Sequence, residues 1–256
     1  MSDEDSMPLT GHLTELRNRI LVILGTILGL FLITYFFSAE LLELARRPIA
    51  GRVDQLVFLK PTEAFFAHLK IAIYAAIFIG LPVLLHQIWQ FCAPGLLSRE
   101  KRYALIFVSC SSGLFITGAL FCYFLILPYG LAYLISFGSE NILPQISIGF
   151  YISFIFTLIF VFGVVFEVPL VIILLVQAGI VTPQALSSNR GYIYVGAFVV
   201  AAALTPPDVI TQVLMAGPLL VLYEVSIVAA KIITRRKKER AEKAAAGDTG
   251  NETEED

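Results

Sequence analysis

Charge is what this sequence has least of. Asp, Glu, Lys and Arg make up only 15% of its 256 residues, against 57% apolar, where a water-soluble domain is usually about a quarter charged. The charges are also segregated: 71–98, 103–139, 141–166, 168–189, 191–207, 209–223 and 225–230 hold none. That excludes an ordinary soluble globular domain. Cysteine is nearly as sparse. Cys92, Cys110 and Cys122 form no metal-ligand spacing, and their odd number argues against a disulfide framework. They read as small buried apolar residues. His12, His68 and His86 fall in separate segments and make no metal cluster. There is no phosphate-cradling Gly-Lys-[Ser/Thr] loop, no His-Glu-x-x-His and no nucleophile elbow. Only one Asp approaches membrane depth, which speaks against a two-Asp intramembrane protease. No catalysis, cofactor, metal or nucleic-acid partner is therefore expected. The polar, acidic start of Met1–Arg19 is unlike a cleavable signal peptide.

What is abundant is apolar sequence in long runs. Crossing about 30 Å of hydrocarbon takes roughly 20 apolar residues. Backbone amides in lipid must be satisfied inside the segment, so such runs fold as helices. The two-residue alternation of an outer-membrane strand is missing. The expectation is an all-α, polytopic integral membrane protein with six transmembrane helices, at about 20–37, 71–92, 103–128, 148–178, 191–206 and 209–230. Residues 1–19 read as a cytoplasmic segment, with Leu9, Leu13, Leu16 and Ile20 on one face of an interfacial amphipathic helix. Residues 38–70 read as an external cap with short helices, one stopping at Pro48 and one starting at Pro61. Residues 231–256, basic and then rich in Ala and acids, have the composition of a disordered cytoplasmic tail. Gly25-x-x-x-Gly29 offers a small-residue face for a close helix contact.

Basic residues set the orientation. An inside N-terminus places thirteen of the 18 Lys and Arg in cytoplasmic segments. The other five (Arg46, Arg47, Arg52, Lys60 and Lys70) all fall in the first external loop, and the second external loop has none. Both ends are therefore expected inside, N-in/C-in. The fifth span is too short: about 14 apolar residues between Gly191 and Pro206 reach roughly 21 Å, so the bilayer should thin there or the helix be shielded by protein. Pro206 and Pro207 break the chain, and Asp208 can cap the sixth helix.

Few residues can carry chemistry. Glu167 stands alone between 141 and 189. A carboxylate at membrane depth costs at least about 2.5–3.5 kcal/mol, which marks such residues as functional; the plainer reading is an interhelical hydrogen bond. Pro169 removes a backbone donor and should kink the helix beside it. Glu15 and Arg19 are spaced i,i+4, so a surface ion pair worth a few tenths of a kcal/mol is the simple reading. Glu100 follows Ser98 at the start of the third helix, where a negative charge is favoured anyway. The functional alternative is that Glu15 and Glu100 together form an anionic site for a guanidinium, which carboxylates hold in a bidentate fork. Thr205 and Gln212 put polar groups near the last hairpin.

Several stretches, in order, resemble one family: His12-Leu-Thr-Glu-Leu-Arg-Asn-Arg; Arg47-Pro48; Pro61-Thr-Glu-Ala-Phe-Phe; Gln87-Ile-Trp-Gln-Phe-Cys-Ala-Pro-Gly-Leu with Glu100-Lys-Arg; Phe162-Gly-Val-Val-Phe-Glu-Val-Pro; and Leu204-Thr-Pro-Pro-Asp-Val-Ile-Thr-Gln. They are similar to TatC, the receptor subunit of the twin-arginine protein translocase, over residues 12 to about 230. The resemblance implies six helices in a concave arrangement that bind signal peptides bearing two consecutive arginines. It implies that Glu15 and Glu100, with Leu16, Arg17 and Phe91, form or flank the cytoplasmic site for those arginines. It further implies that Glu167, Thr205 and Gln212 form an intramembrane polar cluster where the single-span partners TatA and TatB pack. Pro48 matches a functionally sensitive cap position. The implied setting is the bacterial cytoplasmic (inner) membrane, with self-association in the complex and export of folded proteins by the proton-motive force. The runner-up is a proton-coupled small-solute secondary transporter using Glu167, which predicts inverted repeats; the two halves show no convincing repeat.

Overall fold

The computed structural model describes residues 9–53, 55–92, 104–138, 145–204 and 209–248. Among these, the charge-free runs fold as helices. In chain order they are α1 (Leu9–Phe36), α2 (Ser38–Arg46), α3 (Glu63–Cys92), α4 (Ala104–Phe121), α5 (Leu127–Ile135), α6 (Ile148–Phe166), α7 (Val168–Gln177), α8 (Pro183–Ser188), α9 (Arg190–Leu204) and α10 (Val209–Asp248). Five stretches are long and apolar enough to cross a membrane: Leu13–Phe36, Glu63–Phe91, Phe107–Ile135, Ile148–Gln177 and Val209–Arg236. They lie on five of the six predicted spans. The predicted fifth is α9, which at 15 residues is the short one and reaches roughly 22 Å.

The helices depart from the expected spans in three places and follow the expected kink in a fourth, each for a local reason. The amphipathic segment and the first span form one continuous helix, α1, because nothing in Leu-Thr-Glu-Leu-Arg-Asn-Arg breaks it. The third span runs to Ile135 rather than stopping near Pro128. A π turn over Cys122–Ile126, in which the Leu127 amide donates five residues back to the Cys122 carbonyl, opens the helix ahead of the proline ring. The fourth span breaks into α6 and α7 at Glu167, whose amide reaches only to the Val164 carbonyl at 3.0 Å. Pro169, in the first turn of α7, has no amide to continue the ladder. Finally, α10 carries on to Asp248, where a disordered tail is expected from 231. Its Ala, Glu, Lys and Arg residues are strong helix formers, and Arg235 donates to Glu239 one turn on at 2.8 Å. Composition that solvates a tail also favours a helix.

The chain divides into two compact units, Met1–Gly163 and Val164–Asp256. In the first, α1 runs antiparallel to α3. The buried Thr34 hydroxyl donates to the Ala72 carbonyl at 2.8 Å, while Arg19 meets Gln90 at the other end of the pair. Their close approach is at Gly80, where a Cβ would stand 3.1 Å from a Leu30 methyl. The expected Gly25/Gly29 face is open, with nothing within 4 Å of either position. An aromatic ladder packs α3 against α4 and α6: Tyr74 stacks on Phe156 at 4.5 Å, and Phe115 meets Phe78 at 5.5 Å and Phe160 at 5.8 Å. Gly163 is required there, since a Cβ would lie 2.5 Å from the Phe115 ring.

In the second unit α7 ends at Gly179, whose φ of +74° suits a residue without a Cβ. Its apolar face packs on α10 through Ile172, Tyr223, Ile227 and Ala230. Thr182 caps α8 by accepting the Ala185 amide at 3.2 Å. The Tyr223 hydroxyl donates to the Leu186 carbonyl at 2.8 Å, securing that short helix to α10.

Candidate functional site

The predicted guanidinium site begins on α1. Glu15 forms the expected pair with Arg19, one turn on. Both side chains are largely covered, at 25% and 16% exposure, so the pair is more sheltered than a free surface pair. Arg19 is a hub rather than a single partner. Its Nε donates to Glu15 Oε1 at 3.1 Å, with a second, shorter bond from Nη2 to the same oxygen. Nη1 reaches Gln90 Oε1 at 2.7 Å and Gln87 Oε1 at 3.4 Å, and Nη2 also donates to the Gln90 carbonyl at 3.1 Å. Gln90 in turn contacts His86 Nε2 at 2.7 Å. The start of α1 is thereby fastened to the end of α3 by neutral acceptors around one cation.

This fastening sets Glu15 beside the turn of α3 that carries Phe91. Leu16 and Arg17 are exposed on α1. Trp89, buried, stacks on Phe107 with ring centres 4.1 Å apart, so the end of α3 and the beginning of α4 are joined on either side of 93–103. Glu100 is in that segment and lies outside the described residues. Both Arg19 donors fall on Oε1 of Glu15, leaving Oε2 without a partner among the described residues.

Of the second predicted group, Glu167 and Gln212 are among the described residues. Glu167 is half-buried at the break between α6 and α7, one residue before Val168, which packs on the α7–α10 core. Gln212, half-buried near the start of α10, donates to the Phe198 carbonyl of α9 at 3.1 Å. Thr205, Pro206, Pro207 and Asp208 lie outside the described residues. Pro48 is buried in a single 3₁₀ turn, Arg47–Ile49, which ends α2. Its carbonyl accepts from Arg52 at 3.2 Å.

Sequence reasoning passed over two carboxylates that the structure shows tightly held. Glu224 accepts from Arg190 at 2.8 Å and from the Tyr194 hydroxyl at 2.6 Å, fastening α10 to α9. Its signal was available: it is the single charge between 209 and 230. Glu63, the first residue of α3, accepts the Gly149 amide at 2.9 Å on Oε1, with a shorter bond from the Ser147 hydroxyl. Its Oε2 accepts the Leu59 amide at 2.6 Å. A ladder of backbone bonds flanks this staple, from Val57 to Ile146 at 3.0 Å and from Ile148 to Val57 at 2.8 Å. Gly149 belongs to it, because a Cβ there would stand 2.7 Å from Glu63 Oε1. Glu63 precedes the charge-free run by two helical turns and so lies outside the hydrocarbon. The Ser147 hydroxyl and then the Leu59 amide hold its carboxyl down to about 2, from an ordinary 4.5. No sequence pattern announces it, since Ser147 and Gly149 lie more than eighty positions away.

Apolar helices of membrane-spanning length, tied at their ends by polar networks, define a multi-pass integral membrane protein. The family model of TatC, the Sec-independent protein translocase protein, matches residues 11–218. The chain is 43% identical over 238 residues to the Sec-independent protein translocase protein TatC of Aquifex aeolicus, covering 91% of this chain and 98% of that one. It is 36% identical over 246 residues to the TatC of Desulforapulum autotrophicum, covering 95% and 91%. A crystal structure of the twin-arginine translocase receptor TatC in DDM superposes with a TM-score of 0.77 at 41% identity, over 86% of this chain and 99% of that one. This chain belongs to the TatC family. It is a component of the Sec-independent protein translocase of the bacterial cytoplasmic membrane, with a role in protein transport rather than catalysis.

Proposed function

We propose that this chain is the receptor of the translocase and that it binds signal peptides bearing two consecutive arginines. The observation that carries the reading is the state of Glu15. This carboxylate already accepts a guanidinium on one oxygen, and its second oxygen has no partner among the described residues. A carboxylate can accept at both oxygens, so an incoming arginine fits the same group without displacing Arg19. Glu100 supplies the second carboxylate, and Leu16, Arg17 and Phe91 flank the pair. Exposed Leu16 offers apolar contact to the residues around the arginines. Guanidinium favours this geometry over ammonium because its planar fork pairs with carboxylates bidentately.

In this reading six helices cross the membrane N-in/C-in in a concave arrangement, with the short α9 as the fifth. The apolar part of the signal peptide inserts along the groove. Glu167, Thr205 and Gln212 recruit polar residues of the single-span partners TatA and TatB, and Pro169 sets the kink that presents Glu167. Pro48 shapes the cap, Pro206, Pro207 and Asp208 shape the last hairpin, and copies of the chain associate in the complex. Folded cargo then crosses by the proton-motive force, consistent with a sequence lacking a nucleotide loop.

The test is Glu100→Lys. Signal-peptide binding should be abolished while the protein still inserts, and unchanged binding removes the proposed site. Photocrosslinking from Leu16 and Phe91 should capture a twin-arginine peptide and not its twin-lysine counterpart.

A further inference from the structure

The end of the first unit that carries Glu63 also holds a cleft of about 560 Å³, lined among others by Lys60, Lys70, Glu63, Phe66, Phe150 and Ser153. We propose that this cleft is a binding site for an anionic phospholipid, with Lys60 and Lys70 receiving the phosphate and the phenyl rings contacting the start of the acyl chains.

Three observations converge on a phosphate. First, neither lysine forms an ion pair among the described residues: Lys70 donates to the neutral Ser153 hydroxyl at 2.8 Å, and Lys60 takes part in no side-chain bond there. Arg46, by contrast, is paired with Glu43 at 3.4 Å. Second, the carboxylate lining the cleft is already engaged. Glu63 gives one oxygen to Ser147 and Gly149 and the other to the Leu59 amide. It therefore holds the wall in shape without closing on either ammonium. Third, the same cleft that holds the two lysines and Ser153 is lined by the exposed rings of Phe66 and Phe150.

The position favours a lipid as the source of that phosphate. Lys70 is the last charge before the run 71–98, so it stands where hydrocarbon meets headgroups. Phe66 is 53% exposed and Phe150 70% exposed, and with the exposed Leu59 they give the cleft apolar surface that water does not favour. Long lysine side chains lay their methylenes on such a surface and lift the ammonium to phosphate level. A free phosphate would use the lysines and leave the phenyl rings without a role. An anionic lipid uses both.

The full-length protein, reconstituted in mixed phosphatidylglycerol and phosphatidylcholine vesicles and then extracted, is examined by native mass spectrometry for retained lipid. The wild type should keep phosphatidylglycerol in preference to phosphatidylcholine, by about fivefold for each lysine. Lys60→Gln with Lys70→Gln should lose that preference, Lys60→Arg with Lys70→Arg should keep it, and Lys231→Gln with Arg235→Gln should leave it intact. Excess inorganic phosphate should not displace the lipid. Retention unchanged in the Gln pair, an equal loss in the 231/235 pair, or displacement by inorganic phosphate would overturn the proposal. Circular dichroism of each variant shows that the helices persist.

Discussion

Two glutamates at opposite ends of the α1–α3 pair use the same carboxylate in opposite ways. Glu15 is balanced by a full positive charge, Arg19, that itself leans on glutamine acceptors. Glu63 is balanced only by neutral donors, a hydroxyl and backbone amides, and keeps its whole charge. A charged partner can be shared with a second cation of the same kind, because each oxygen offers more than one acceptor site. Amides built into the chain cannot leave, so they fix a shape. At one end an acceptor oxygen is left without a partner among the described residues, and at the other both oxygens are engaged.

The comparison can be broken by swapping outcomes. Glu15→Gln should lower twin-arginine peptide affinity by at least about tenfold, the scale of one charge-assisted hydrogen bond, while leaving the melting temperature nearly unchanged. Titration of labelled peptide into detergent-solubilised protein reads the first, and a thermal shift assay the second. Glu63→Gln should do the reverse, with peptide affinity retained and the melting temperature lowered by on the order of 5 °C. If Glu63→Gln abolished binding as well, the two ends would not be independent.

A smaller effect sharpens the Glu63 end without touching the carboxylate. Gly149→Ala places a methyl 2.7 Å from Glu63 Oε1 and should destabilise by about 1–3 kcal/mol, the usual cost of overpacking. It should add little on top of Glu63→Gln, because both act on one contact. Chemical denaturation of the four proteins in the cycle measures this.

Acid gives the smallest effect and the clearest sign. The folded Glu63 carboxyl titrates near 2 instead of 4.5. Its contribution is therefore fully present above pH 4.5 and is lost as pH falls from there toward 2. The gap in melting temperature between wild type and Glu63→Gln should narrow over that window. A constant gap would mean that Glu63 does not carry the acid sensitivity of this end.

Much of the architecture was legible before any coordinates. The segregation of charge announced the helices, and the run from Gly191 to Pro206 announced the short one, now α9. Pro169 announced the break at Glu167. The π turn before Pro128 was hidden, because whether a proline ends a helix or is absorbed depends on how its neighbours repack. The helical tail was hidden because Ala, Lys, Glu and Arg suit both a helix and a solvated chain. At the candidate site the Glu15–Arg19 pair was legible from its i,i+4 spacing, and its fastening to Gln87 and Gln90 was not.

By itself the sequence determined that the chain spans a membrane as helices and which family it joins. Those depend on hydrocarbon thickness, backbone hydrogen bonding and short ordered motifs, all of which act within a few turns of chain. The tertiary structure alone decided which partners each carboxylate has and which oxygen is left without one among the described residues. Their partners lie 71 residues apart for Arg19 and Gln90 and 84 for Glu63 and Ser147, a separation over which no local pattern records who meets whom.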